Sequence, residues 1–158
     1  MSGTLYVVGT PIGNLSDFSP RAVQTLREVD FIAAEDTRVT QKLLSHFQIK
    51  KPMISYYQHN LRERGEEILA RIEAGENCAI VTDAGMPCIS DPGEDLVGLC
   101  AARDIPTVVI PGPSAAISAL AVSGLPTSRF CFEGFLSTNR KNRMEHLHQI
   151  SGDQHTLI

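Results

Sequence analysis

The feature that most constrains this chain is an alternation of two patterns. Five short apolar runs recur along it: LYVV (5–8), DFIAAE (30–35), MISYY (53–57), NCAIV (77–81) and TVVIP (107–111). Between them lie segments 19–28, 38–47, 60–74 and 93–103, which read as helices. In the first, Ala22, Val23 and Leu26 share one face; in the third, Ile68, Leu69 and Ile72 do. Such spacings put a single apolar stripe on a helix. Ser19 before Pro20 reads as an N-cap with proline at the first helical position. Gly75 and Asn77 close the third helix. Strand and helix in alternation predict an α/β fold, a mostly parallel five-stranded sheet with helices on both faces.

The later part of the chain changes character. The small-residue stretch GPSAAISALAVSG (112–124) reads as a closely packed helix, and Gly124–Pro126 as a linker. RFCFEGF (129–135) then reads as a strand, TNRKNRMEHLHQI (138–150) as a helix and HTLI (155–158) as a further strand. The expectation is one α/β domain over 1–123, followed over 124–158 by a linker and the truncated start of a second α/β domain. A lone strand–helix–strand opening has no core of its own.

Composition excludes several classes. With 42% apolar and 20% charged residues, the chain is an ordinary soluble globular sequence. No apolar stretch approaches the roughly 18 residues of a membrane span. The start MSGTLYVVGTP lacks a basic region followed by an apolar one, so a cytoplasmic location is expected. Cysteines 78, 88, 100 and 131 form no CxxC pair, and no metal site is expected. A net charge of −4 argues against a strongly basic nucleic-acid domain but leaves room for a local basic patch.

Open parallel sheets bind ligands beyond the carboxyl ends of their strands. Three glycine- and proline-rich loops fall at such ends: GTPIGNLSD (9–17), TDAGMPCISDPG (82–93) and PGPSA (111–115). Glycine permits close approach or positive φ, and proline fixes φ. The first loop matches neither GxGxxG nor GxxxxGK[ST], so dinucleotide and ATP sites are not supported.

Candidate residues cluster at this rim. Asp83 offers acceptors to a ligand hydroxyl, or to its own loop in an Asx-turn. Asp91, before Pro92 and Gly93, reads as the cap of helix 93–103. Ser114 can cap the next helix and still border a ligand. In AAEDTR (33–38), Glu35, Asp36 and Arg38 follow the second strand; Asp36 and Arg38 either pair and cap a helix or contact substrate. His59, after the third strand, is either a general base or a loop residue. Arg140, Lys141 and Arg143 either contact RNA phosphates or form a solvated helix start.

VGTPIGNLSDFSPRAV (8–23), AAEDTR (33–38), TDAGMPCISDPG (82–93) and VIPGPSA (109–115), in that order, resemble the tetrapyrrole methylase family. More narrowly, they resemble its branch that methylates ribosomal RNA. FCFEGFLS (130–137) is similar to the start of that family's second domain. The resemblance implies S-adenosylmethionine as cofactor, folded into a cleft between two α/β domains of a homodimer. It implies methylation of the ribose 2′-hydroxyl of a cytidine in 16S rRNA, with free rRNA or the assembled small ribosomal subunit as partner. Carried over by position, Pro11, Asp83, Gly85, Met86, Ile89 and Ser114 would face the cofactor. Asp36, Arg38 and His59 would lie on the substrate side. Many relatives have threonine where this chain has Met86, which suits a contact made through the backbone. Other branches methylate a precorrin or a protein residue, and a non-catalytic binding module is a further alternative.

Overall fold

The computed structural model describes residues 2–158. It contains β1 (Leu5–Val8), α1 (Pro20–Glu28), β2 (Phe31–Ala34), α2 (Thr37–His46), β3 (Met53–Ser55), α3 (Leu61–Glu73), β4 (Cys78–Val81), α4 (Glu94–Ala102), β5 (Thr107–Ile110), α5 (Ala115–Val122), β6 (Phe130–Cys131), α6 (Arg140–Ile150) and β7 (Thr156–Leu157). A 3-10 turn, Leu15–Asp17, stands between β1 and α1. Two compact units result, Met1–Ser114 and Ala115–Ile158.

In the first unit β1 to β5 form one sheet in the order β3-β2-β4-β1-β5, and every neighbouring pair is parallel. The expected parallel α/β architecture is therefore present. Strand residues alternate between two cores. Leu5, Val7, Phe31, Ala33, Cys78 and Ile80 face Ile68, Leu69 and Ile72 of α3 and Leu96 and Cys100 of α4. Val8, Ile32, Ala34, Ala79 and Val81 face Ala22 and Leu26 of α1 and Leu44 of α2. A strand buried on both faces loses the polar alternation of a half-exposed one, which explains why FIAA and CAIV read as continuous apolar runs.

The face swap follows from handedness. From β1 to β3 the chain steps toward one edge, with α1 and α2 on one side. From β3 to β5 it steps back, with α3 and α4 on the other. Right-handed crossovers require that exchange of faces. Loops from adjacent strands therefore leave in opposite directions, and crevices open between them at the carboxyl edge.

Local chemistry fixes the ends. Ser19 caps α1 by accepting from the Ala22 amide at 3.1 Å, with Pro20 at the first turn as expected. Gly75 follows α3 at φ +104°, a conformation that favours glycine. Asn77 accepts from the Thr4 amide at 3.0 Å and donates its own amide to Asp30 at 2.7 Å, which ties together the amino ends of three strands. Helix α5 begins at Ala115, three residues later than the small-residue pattern suggests. Pro111 and Pro113 lack amide hydrogens, so the segment before Ala115 stays extended.

In the second unit β6 and β7 pair in parallel around α6, the expected strand, helix and strand. Asn139 caps α6, accepting from the Lys141 and Asn142 amides. Among the described residues no helix is long and apolar enough to cross a membrane.

Candidate active site

The carboxyl edge of the first sheet is built by loop-to-loop contacts. Thr10 and Gly85 pair as an isolated bridge, with amide-to-carbonyl distances of 2.8 and 3.2 Å. The Thr10 hydroxyl also donates to the Thr82 carbonyl at 3.1 Å. Gly85 holds φ +96° to make this approach. Gly9 and Gly112 meet closely: a Cβ on Gly9 would stand 2.7 Å from Gly112 Cα and 2.6 Å from Met86 Sδ. The three rim loops are thus one assembly held by backbone contacts. Only glycine fits where loops one and three touch.

The ends of β2 and β4 are joined through carboxylates. Glu35 Oε2 accepts from the Thr82 hydroxyl at 2.5 Å and the Asp83 amide at 3.4 Å. Asp83 Oδ1 accepts from the Asp36 amide at 3.2 Å. Asp36 caps α2, accepting from the Arg38 amide at 2.8 Å, and Arg38 closes a two-pronged pair on the same carboxylate at 3.0 and 2.6 Å. Pairing and capping, the bland reading of Asp36 and Arg38, both occur.

Electrostatics divide this row of acids. Arg38, by its side chain and then its amide, holds the Asp36 carboxyl at about 2. Partial burial, followed by the Glu35 charge, pushes Asp83 above the usual carboxylate range. Asp91 is raised by the same two causes, with the Thr82 hydroxyl pulling the other way.

Asp91 departs from expectation. The N-cap of α4 is Gly93 at φ +126°, with no side chain capping the helix. A Cβ there would lie 2.7 Å from both Cys88 Sγ and Ile80 Cδ1. Gly93 turns the chain tightly into α4, and Asp91 faces back toward Thr82 and Glu35 instead of forward to the helix. First-turn Glu94 and Asp95 favour the helix dipole instead. Buried Tyr56 donates its hydroxyl to Asp95 Oδ2 at 2.7 Å, which fastens that turn to β3.

Two clefts flank the carboxylate row, and a third of about 460 Å³ is lined by the row itself, with Glu35, Asp36, Arg38 and Asp83 among its residues. The larger, about 770 Å³, is lined by Glu35, Tyr57, His59, Asp91, Glu94 and Asp95, among others. The smaller, about 270 Å³, is lined by Pro11, Leu15, Val39, Lys42, Thr82 and Asp83, among others. Pro11 and Asp83 therefore share a cleft, while His59 lines the other one with Glu35. His59 stands edge-on to Tyr57, ring centroids 6.0 Å apart. Ile89 is 60% exposed. Met86 is half-buried against the core and its sulfur abuts Gly9, leaving its backbone nearer the rim than its side chain. Ser114, half-buried, ends the first unit.

In the sequence Glu35 is visible at the rim but nothing singles it out, and nothing marks Thr10 or Thr82. Their signal is weak: threonine at a strand end is ordinary, and only the register of β1 beside β4 brings them together. In the second unit, Cys131, Asp153 and His155 place ligand-type atoms within 4.8 Å of one another. Asp153 Oδ1 already accepts from the His155 amide at 2.7 Å and pairs with its ring at 2.6 Å, so a local turn accounts for that cluster.

Arg143 donates to the carbonyls of Ser137 and Thr138, and Lys141 pairs with Glu145 at 3.9 Å. These contacts fit the solvated-helix-start reading of the basic stretch.

A parallel α/β sheet with clustered loops and acids at its carboxyl edge defines a domain of the doubly wound class, in which that edge is the usual place for a ligand. The family model for tetrapyrrole (corrin/porphyrin) methylases matches residues 4–158, and the chain belongs to that family. It is 55% identical over 156 residues to "Ribosomal RNA small subunit methyltransferase I" of Synechocystis sp., covering 99% of this chain and 56% of that protein. It is 49% identical to the protein of the same name from Escherichia coli O157:H7, covering 99% and 54%. The chain thus spans about half the length of these relatives. The crystal structure of diphthine synthase superposes with a TM-score of 0.69 at 16% identity, over 94% of this chain and 59% of that one. At that identity the likeness speaks to the fold alone.

Proposed function

We propose that this chain supplies the strand-end rim of an S-adenosylmethionine-dependent methyltransferase acting on the ribose 2′-hydroxyl of a cytidine in 16S rRNA. The observation that carries this reading is the 55% identity, over nearly the whole chain, to a protein named for small-subunit ribosomal RNA methylation. The partner is the small ribosomal subunit or its RNA, the working form a homodimer and the location cytoplasmic; the linker between the family's two domains begins at Gly124, after α5, although the compact units part earlier, at Ser114.

The donor set suits the cofactor. S-adenosylmethionine carries positive charge on sulfur and on its amino group, and the rim offers carboxylates. Asp83 Oδ1 holds one amide, and Oδ2 has no hydrogen-bond partner among the described residues. Exposed Ile12, Leu15 and Ile89 offer apolar surface for a purine. Pro11, Asp83, Gly85, Met86, Ile89 and Ser114 would hold the cofactor, Gly85 and Met86 through backbone. When bound, the cofactor supplies a methyl group activated by the sulfonium.

The remaining work is positioning, worth up to several kcal/mol when reacting atoms are held in line. Asp36, held ionised by Arg38, is a weak base, so we assign it to fixing Arg38 and the start of α2. Arg38, 87% exposed at its side chain, keeps N–H groups for an RNA phosphate. We assign His59, on the substrate side, to taking the hydroxyl proton. A 2′-hydroxyl target distinguishes RNA from DNA.

The test is transfer of labelled methyl from S-adenosylmethionine to unmethylated small subunits, beside free 16S rRNA, by the protein that carries this chain. Label in a cytidine ribose is the expected result. Label confined to a tetrapyrrole or a protein would contradict the reading.

A further inference from the structure

We propose that Glu35 is a positioning residue that aims Asp83 into the rim by stitching the end of β2 to the loop after β4. The inference rests on the cofactor-facing role given to Asp83 above and adds a residue to it. One carboxylate oxygen of Glu35 accepts both the Thr82 hydroxyl, at 2.5 Å, and the Asp83 amide, at 3.4 Å. The Asp36 amide, one residue along, donates to Asp83 Oδ1 at 3.2 Å. The two strand ends therefore hold each other reciprocally: β2 receives the amide of Asp83 and gives an amide to its side chain. With its backbone and one oxygen fixed, Asp83 keeps a single oxygen for a ligand. Thr82 is buried, 3% exposed, and its hydroxyl needs a carboxylate acceptor; Glu35 takes it at 2.5 Å, with Asp91 the other carboxylate beside it.

Glu35 does more than hold geometry, because its charge lies beside Asp83. The charged and titratable groups around Asp83 are Glu35, Asp36 and Arg38 from the β2–α2 junction, Asp91 from the loop before α4 and Lys42 from α2. Tyr57, His59, Glu94 and Asp95 share the larger cleft with Glu35. Removing the Glu35 charge leaves Asp36 and Asp91 as the remaining repulsive neighbours and Arg38 and Lys42 as attractive ones. Asp83 should then ionise more readily.

Glu35→Gln keeps an acceptor oxygen but loses the charge, whereas Glu35→Ala loses both. Carbon-13 titration of the Asp83 carboxyl, on this chain without cofactor, should show a lower midpoint in both variants. The Asp83 amide resonance should move in Glu35→Ala and stay near its parental position in Glu35→Gln. An unchanged Asp83 midpoint and amide in both would overturn the proposal.

In the methyltransferase assay, Glu35→Ala should raise the KM for S-adenosylmethionine about tenfold, the worth of one charge-assisted hydrogen bond, with kcat nearly kept. Glu35→Gln should recover most of that loss. Equal losses in the two variants, or none in either, would overturn the proposal. A parent that transfers no methyl defeats the functional reading instead, and the titration still decides the role of Glu35.

Discussion

The Asp36 amide donates to Asp83 Oδ1 at 3.2 Å, yet the carboxyl groups of these neighbours are pushed in opposite directions. Arg38 draws Asp36 down to about 2, so the folded state favours the ionised form. That contribution is complete above the ordinary value near 4 and disappears as pH falls through about 2. Asp36→Asn should therefore melt below the parent at pH 7, with the gap closing between pH 4 and 2. Thermal melts across that window test it, and a gap as wide at pH 2 as at pH 7 contradicts it.

Asp83 has the opposite sign. Its folded-state carboxyl is raised, so the native state binds the proton more tightly than the unfolded one. Stability from this group falls as pH rises from the ordinary carboxylate range through the raised value. Asp83→Asn should melt higher than the parent at neutral pH and converge with it in acid. The same change should weaken cofactor binding by calorimetry. A lower melting point at pH 7 would remove the electrostatic account of this residue.

Two glycine-to-alanine changes should move stability in opposite directions. At Gly9 a methyl would meet Gly112 Cα at 2.7 Å, and backbone cannot step aside cheaply. Gly9→Ala should cost about 1–3 kcal/mol, as overpacking does. At Gly98, within α4, nothing stands within 4 Å of the added methyl. Gly98→Ala should gain roughly 0.5–1 kcal/mol from helix propensity. Denaturant midpoints of both variants measure the contrast.

The basic stretch should divide in the same way. Arg143 is engaged with the carbonyls before α6, so Arg143→Ala should chiefly lower the protection of α6 amides from hydrogen exchange. Arg140 is exposed at the helix start. Arg140→Ala should weaken RNA association and shrink its salt slope by about one phosphate contact. Equal salt slopes for parent and Arg140→Ala would exclude Arg140 from the RNA interface.

Much of the fold was legible because burial on both sheet faces leaves a strong trace. FIAA and CAIV could hardly be anything but interior strands once helical stripes flanked them. Ser19–Pro20 was legible because cap chemistry is local. Strand order was not, since it depends on which crossovers skip a neighbour. The site followed the same division. The rim loops announced themselves through glycine and proline. Their internal wiring did not, because Thr10, Glu35 and Thr82 acquire partners only when β1, β4 and β2 lie side by side. Asp91 misled for a physical reason: an Asp before Pro-Gly has the look of a cap, but Gly93 at φ +126° took that position and turned Asp91 toward Glu35.

The most direct test of the account is the nucleoside content of small-subunit RNA from cells lacking the gene for this chain. Digestion and mass spectrometry should show the loss of one 2′-O-methylcytidine per 16S rRNA, restored when the gene is returned. An unchanged level of that nucleoside would contradict the central claim.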